Sequence, residues 1–424
     1  MPLKPTDAAL LLAGRVAERL NARLQHNVSS PVALALSGGG DSMALLEIAT
    51  GWARFAGRQI VAITVDHGLS PASRGWSRAC AAAARTAGAD WIERRWEGEK
   101  PLTGLPAAAR RARHVLIAEA AREVGAKVIL FGHTADDTAE SDWMRVNGSN
   151  LGHLREWSPS PVWPEGRGLM LMRPLLGERR EALRDLLRTS GRDWIEDPAN
   201  AGFARGEARR ALGGSAGETD LSRGPRPGRP LPGHVTPLSL GEGFEGGGGL
   251  GVTLICAAGH DRLPRSDRLN GLAIRLAQGD PFAAVLAGAR VQRSGKQVVI
   301  TREAGELRRR PLPPLALTAG EPAVWDGRYE ITVDDAGWRV VPALGLLARL
   351  TDRDRAIVAR SPAAARGTLP VLIREGSTAP VLAWRRARVF SLAPRRLSLA
   401  SGETTQESDL NRTIHGETPP PDLF

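Results

Sequence analysis

The chain has 424 residues, with 57 Lys plus Arg against 46 Asp plus Glu, a formal net charge of +11, and only two cysteines. That length allows two or three domains with cores of their own, and two distant cysteines exclude a disulfide framework or a thiolate zinc site, which fits a reducing, cytoplasmic setting. No apolar run is long enough to span a bilayer, and the positive balance points to nucleic acid before membrane, although an arginine-rich composition alone accounts for part of it.

The first residues, MPLKPTDAALLLAGRVAERL, break their apolar positions with charges at helical spacing and read as an amphipathic helix, not a signal peptide. From Pro31 to Val146 strand and helix then alternate. The pattern predicts strands over Val32–Leu36, Gln59–Asp66, Asp90–Trp96 and Lys127–Phe131. It predicts helices over Met43–Phe55, Arg74–Ala87, Ala107–Val124 and Ala135–Val146. Repeated βαβ units of this kind imply an α/β fold with a doubly wound parallel sheet, whose ligands bind at the carboxyl ends of the strands. A further helix is expected over Glu178–Ser190, closed by Gly191.

After Leu212 the composition shifts. Gly213 to Gly251 is dominated by Gly, Pro, Ser and Arg and reads as a disordered linker or altered insert. Its GEGFEG, at Gly241 to Gly246, matches GxGxxG only by letter, with no strand before it and no helix after. Helix is predicted again over Leu269–Gln278 and Phe282–Leu286, followed beyond Arg290 by hairpins of a small β-rich domain and, from Ser401, a loose polar tail. The expected division is therefore a catalytic domain over 1–212, a linker over 213–252, a helical segment over 253–290, a β-rich domain over 291–401 and a tail over 402–424.

The residues that carry chemistry cluster at predicted strand ends. VALALSGGGDS (Val32 to Ser42) is strand, glycine turn and helix start, the geometry that aims N–H groups and a helix dipole at phosphate. No lysine precedes Ser42, which excludes a Walker loop, and Gly38, Gly39 and Gly40 are contiguous, which excludes the dinucleotide fingerprint. Ser37, Gly38, Gly39, Gly40, Asp41 and Ser42 are thus candidate ATP-phosphate residues, with Asp41 suited to magnesium. VDHG places Asp66 and His67 beside that site, where a plain structural turn reads equally well. FGHTADDTAES sets His133 against Asp137, and Asp136 against Glu140, at i,i+4 across a helix start. Asp41, Asp136 and Asp137 could hold magnesium, or the acids could simply satisfy the helix dipole. Arg110, Arg111 and Arg113 in AARRARH, and Arg205 and Arg209 in FARGEARR, are solvated basic faces by default and phosphate clamps by position.

SGGGDS resembles the PP-loop of the N-type ATP pyrophosphatases, which cleave ATP between its α- and β-phosphates. Read in order with TVDHGLSPAS, the AARRARH helix, FGHTADDTAES, MRPLLGERREALRDLL and WIEDPAN…FARGEARR, the stretch from Val32 to Arg210 resembles the tRNA(Ile)-lysidine synthetase family. GEPAVWDGRYE and LPVLIREG resemble its C-terminal part more weakly. The chain departs from the family pattern at His114, where Tyr is usual, at Thr138, Ser141 and Asn147, between Asn200 and Phe203, and through the glycine-rich segment.

The resemblance implies that ATP with Mg2+ and L-lysine converts the wobble cytidine of a CAU-anticodon tRNA(Ile) to lysidine, releasing AMP and pyrophosphate. It implies catalytic roles for Asp41, His133, Asp137, Arg113 and Arg205, with Asp41 at magnesium and pyrophosphate. Asp137, with His133 beside it, would take the lysine proton, and Arg113 and Arg205 would neutralise charge at the α-phosphate. Arg110, Arg111 and Arg209 would grip tRNA, and neither DNA nor membrane is an expected partner. Two alternatives stand beside this reading: a tRNA-thiolating relative, which needs reactive or cluster-binding cysteines, and a degenerate RNA-binding relative, which the glycine-rich segment favours.

Overall fold

Apolar runs of three to seven residues line up here as neighbouring strands because helices cover them on both faces. A computed structural model describes residues 5–147, 153–196, 249–374, 376–377 and 379–411. These fall into two compact units, one formed by 5–196 with Thr405–Asn411 and the other by 249–404.

The first unit opens with α1 (Pro5–Arg23) and then alternates β1 (Val32–Ala35), α2 (Gly40–Ala56), β2 (Ile60–Asp66), α3 (Ser73–Ala87), β3 (Asp90–Arg95), α4 (Leu105–Glu123), β4 (Val128–Leu130) and α5 (Ala135–Val146). All four predicted strands and the helices between them are present, and the expected doubly wound parallel sheet is there. Two short strands escaped the sequence reading, β5 (Trp157–Pro159) and β6 (Met170–Met172), before α6 (Arg180–Thr189). Three residues are too few to show a period. The sheet order is β3-β2-β1-β4-β6-β5, parallel except for β5. Ala33, Val61, Ile63 and Ile129 meet Ile117 and Ala121 of α4 on one face. β1 sends successive strands to one side and then β4 to the other, which opens a crevice at the carboxyl ends of β1 and β4.

The second unit begins with α7 (Leu250–Ala258) and α8 (Ser266–Gln278), which pack on the antiparallel sheet β7 (Phe282–Leu286), β8 (Ala289–Ser294) and β9 (Gln297–Arg302) through Leu254, Leu272, Leu276, Ala289 and Val291. Phe282–Leu286 was expected to be helical and is a strand. Ala287 and Gly288, at φ +49° and +77°, make a two-residue hairpin turn whose register pairs Leu286 with Ala289. After α9 (Ala304–Arg309) come β10 (Leu315–Ala316), β11 (Ala323–Trp325), β12 (Tyr329–Val333), β13 (Trp338–Pro342), α10 (Asp352–Ala359), β14 (Pro370–Arg374), β15 (Val381–Leu382), β16 (Ala387–Ser391) and α11 (Ala393–Ser401). They form the sheets β10-β13-β14-β15 and β11-β12-β16, which share a core of Ile331, Val340, Leu372 and Val389.

The polar stretch after Ser401, expected to be loose, is anchored at Thr405–Asn411. Glu407 makes a buried two-point pair with Arg58, Nη1 to Oε2 at 2.8 Å and Nη2 to Oε1 at 2.9 Å, and accepts the Gln25 N–H at 2.8 Å. Polar composition had concealed a single buried carboxylate. Most of the glycine-rich segment and its GEGFEG lie outside the described residues.

Candidate active site

Two polar loops leave the sheet at the crevice between β1 and β4. After β1, the chain turns through Ser37–Gly39 straight into α2. Gly38 has φ +82°, and a Cβ there would fall 2.6 Å from Ile195 Cδ1, so the turn needs glycine. The Gly38 carbonyl also accepts the Ile195 N–H at 2.8 Å. Ser42 Oγ closes the loop, donating to the Gly39 carbonyl at 2.9 Å and lying 3.1 Å from Ser37 Oγ. Gly39 starts α2 with no side-chain cap, so the helix presents its first-turn N–H groups to an anion.

After β4, Gly132 packs on that same turn. A Cβ on it would lie 3.0 Å from the Asp41 carbonyl oxygen and 3.1 Å from Ser42 N. Thr134 and Asp137 then form the capping box of α5: the Thr134 N–H and hydroxyl donate to Asp137 Oδ2 at 2.9 and 3.0 Å.

Arg180, the first residue of α6, ties the two loops together. Its Nε donates to Asp41 Oδ2 at 3.3 Å, its Nη1 donates to Glu140 Oε1 at 3.0 Å, and its Nη2 lies 3.5 Å from Asp137 Oδ1. Asp136 faces elsewhere. Its Oδ2 accepts the backbone N–H of Arg180 at 2.8 Å and its Oδ1 pairs with Arg179 at 3.1 Å, so it caps α6. Sequence reading missed Arg180 because GERRE looks like an ordinary charged helix start. The signal was present in polarity: cations at a helix N-terminus oppose its dipole, so two of them call for acids facing that end.

The remaining candidates differ in their settings. Burial pushes the Asp41 carboxyl above its ordinary range and nearby Asp137 adds to the rise, while Arg180 opposes both. Asp66 turns back on its own loop, its Oδ1 accepting the Gly68 N–H at 2.7 Å. Burial would raise that carboxyl, but the Gly68 N–H, the Ser73 hydroxyl and Arg95 outweigh it and hold it low. His67 Nε2 accepts the Nε–H of Arg113 at 3.3 Å. Burial, then the Arg113 charge, push His67 down to about 4, so it is neutral at pH 7. Arg110 and Arg111 are exposed on α4. His133 Nδ1 accepts the Nε–H of Arg173 at 3.2 Å, and its ring stacks on Phe131. Arg205 and Arg209 lie outside the described residues. Cys80 and Cys256 are buried and in different units, their thiols pushed up by burial, Cys256 to about 11.

Magnesium needs one or two carboxylates here, with phosphate and water completing its shell. Asp41, on the phosphate turn, and Asp137 fit that demand. A carboxylate whose ionised form burial disfavours gains from a nearby cation. Asp136, expected to join them, is committed to α6, and among the described residues no group of three His, Cys, Asp or Glu side chains forms a metal cluster.

Residues 12–214 match the PP-loop domain family (ATP_bind_3), and the glycine turn, bare helix start and adjoining acids mark the first unit as a PP-loop ATP-binding domain. The chain is 41% identical over 413 residues to the tRNA(Ile)-lysidine synthase of Caulobacter vibrioides, covering 93% of this chain and 98% of that relative. It is 34% identical over 382 residues to the one from Hyphomonas neptunium, covering 79% and 96%. The chain belongs to the tRNA(Ile)-lysidine synthase family. Among solved structures, the U34-tRNA thiolase NcsA from Methanococcus maripaludis is similar at 16% identity and a TM-score of 0.42, over 50% of this chain and 73% of that one.

The close approach at Gly132 gives a direct test of the corner. Gly132→Ala sets a methyl group against backbone, which cannot swing aside as a side chain could. Overpacking of this kind costs about 1–3 kcal/mol. Moving the phosphate turn by the few tenths of an ångström this contact demands should lower ATP turnover by about 10-fold, read as tRNA-dependent pyrophosphate release.

Proposed function

We propose that this chain ligates L-lysine to C2 of the wobble cytidine of a CAU-anticodon tRNA(Ile), consuming ATP in the cytoplasm and releasing AMP and pyrophosphate. The observation that carries this is the Arg180 bridge, which holds Asp41 of the phosphate turn and Asp137 of the β4 loop on one guanidinium, within reach of a single nucleotide.

The chemistry divides into two displacements. The cytosine C2 oxygen attacks the α-phosphorus of ATP, the bond to the β-phosphate bridging oxygen breaks, and its electron pair leaves with pyrophosphate. The base now carries AMP on O2 and a positive charge. The lysine ε-amine then attacks C2, the C2–O2 bond breaks toward AMP, and the amine gives up a proton. An anticodon-loop base can be splayed out and read on its edge, so no duplex has to open.

The α2 N-terminus, with Gly38 to Ser42, binds the phosphates, and Arg113, which donates to His67, supplies charge at the α-phosphate. Magnesium held by Asp41 would neutralise pyrophosphate charge. Arg110, Arg111 and Arg209 supply basic contacts for the tRNA backbone, and Arg205 a second charge at the α-phosphate. Lysine poses the proton problem. With an amine pKa of ~10.4, about one molecule in 2,500 is neutral at pH 7, a penalty of roughly 4.6 kcal/mol. Asp137 is the proton acceptor in this scheme.

Incubating the protein with tRNA(Ile), ATP and labelled lysine and analysing the nucleosides by mass should give lysidine only when all three are present. In Asp137→Asn, lysine transfer should fall about 100- to 10,000-fold while tRNA-dependent pyrophosphate release persists. Undiminished transfer removes Asp137 from the base role, and lost pyrophosphate release moves it to the metal.

A further inference from the structure

His133 and Arg173 hold one another in an arrangement that decides what the imidazole can do. Arg173 follows β6, next to the end of β4 from which His133 emerges. Its Nε–H donates to His133 Nδ1 at 3.2 Å, and its Nη1 donates to the Arg155 carbonyl at 2.7 Å and to Ser158 Oγ at 3.0 Å. Arg173 is only 7% exposed, and among the described residues no carboxylate pairs with it. Taking a guanidinium out of water is costly, and hydrogen bonds such as these offset that cost. On its other side the His133 ring is fixed by stacking on Phe131, with centroids 5.9 Å apart and planes 8° from parallel. Phe131 in turn stacks on buried His114 at 5.1 Å. The imidazole is therefore set both in plane and in rotation.

We infer that Arg173 is a positioning residue that locks His133 in the tautomer with its proton on Nε2, making His133 a hydrogen-bond donor to a phosphoryl oxygen rather than a proton acceptor. This rests on the ATP-dependent reaction proposed above and assigns His133 within it. A guanidinium only donates, so the Nδ1 lone pair is occupied and a neutral ring carries its hydrogen on Nε2. Protonating Nδ1 would break the Arg173 bond and set two cations face to face, with Arg110 adding a third positive charge near Arg173. Burial lowers Arg173 only to about 10, which leaves it charged at neutral pH. His133 was expected to assist lysine deprotonation. In this arrangement that task falls to the carboxylates, and the Nε2–H meets negative charge as the α-phosphate is attacked.

The test reads the tautomer directly. Full-length protein labelled with 15N-histidine carries eight histidines, and His133→Gln identifies the His133 signals in two-bond nitrogen–proton correlation spectra at pH 7. The wild-type ring should show a protonated Nε2 and a bare Nδ1. Arg173→Gln, which keeps a neutral donor, should preserve that pattern, and Arg173→Met should give a mixture of tautomers. Arg173→Met should also lower the kcat of tRNA-dependent pyrophosphate release on the order of 100-fold with little change in the KM for ATP, and Arg173→Gln should recover about 10-fold of it. A protonated Nδ1 or an imidazolium in the wild type overturns the assignment, as does a methionine variant with unchanged tautomer and rate. If Arg173→Met does not fold, the wild-type spectrum decides alone. A wild-type protein that makes no lysidine defeats the proposed function and leaves the tautomer result standing.

Discussion

Arg180→Met should abolish measurable ligation and destabilise the first unit by about 3–5 kcal/mol, the usual penalty for removing one partner from a buried ion network. Three carboxylates share this guanidinium, and two of them, Asp137 and Glu140, are nearly inaccessible to water. Without it they face each other uncompensated, and the corner must take up protons or separate. Either response removes the charge that magnesium and the lysine amine require, so turnover should fall at least 100- to 1,000-fold. Arg180→Lys should fare little better, because one ammonium cannot hold three acids in a fixed fork. Steady-state lysidine formation and a urea unfolding curve for each variant separate the two effects. A methionine variant with near-normal turnover would remove Arg180 from the centre of the site.

Glu407→Ala should lower stability by a similar amount with the opposite functional signature. Arg58 and Glu407 have side-chain exposures of 0% and 1%, and the remaining Arg58 donors reach only the carbonyls of Gln25 and Ser30. Losing the carboxylate strands a buried cation, which costs about 3–5 kcal/mol. For a unit of this size that corresponds to roughly 6–20 °C in melting temperature. Arg58 precedes β2, at the end of the sheet away from the phosphate turn, so kcat at 20 °C should be unchanged. The double variant Arg58→Met with Glu407→Leu should recover most of the loss, since an apolar pair of similar volume restores packing without a desolvation penalty. Scanning calorimetry of the three variants checks this, and an unaltered melting temperature for Glu407→Ala would falsify it.

The parallel sheet and its phosphate turn were legible because strand and helix periods alternate cleanly from Val32 to Val146, and because Gly38 answers a local backbone demand that sequence shows directly. Asp41, His133 and Asp137 could be placed in the fold for the same reason: each follows a strand that ends at the crevice. What stayed hidden depends on partners distant in the chain. Nothing local tells that Asp136 caps α6 while Asp137, one residue on, faces Arg180. Arg173 reads as part of an ordinary MRPLL until His133 is placed beside it. Phe282–Leu286 is apolar and short, and only the positive φ values at Ala287 and Gly288 separate hairpin from helix. Glu407 is one acid in a polar stretch, and its burial follows from Arg58, 349 residues earlier.

That last separation has a consequence on the ribosome. The sheet and its helices are all synthesised by Glu196, yet the counter-ion of Arg58 is not made until Glu407. At ~5–20 residues per second the interval is roughly 10 to 40 s, during which the nascent domain carries an unanswered interior charge. Its final locking step therefore waits until Glu407 has been made. A prematurely terminated product would be left with a weakened nucleotide domain, open to proteolysis.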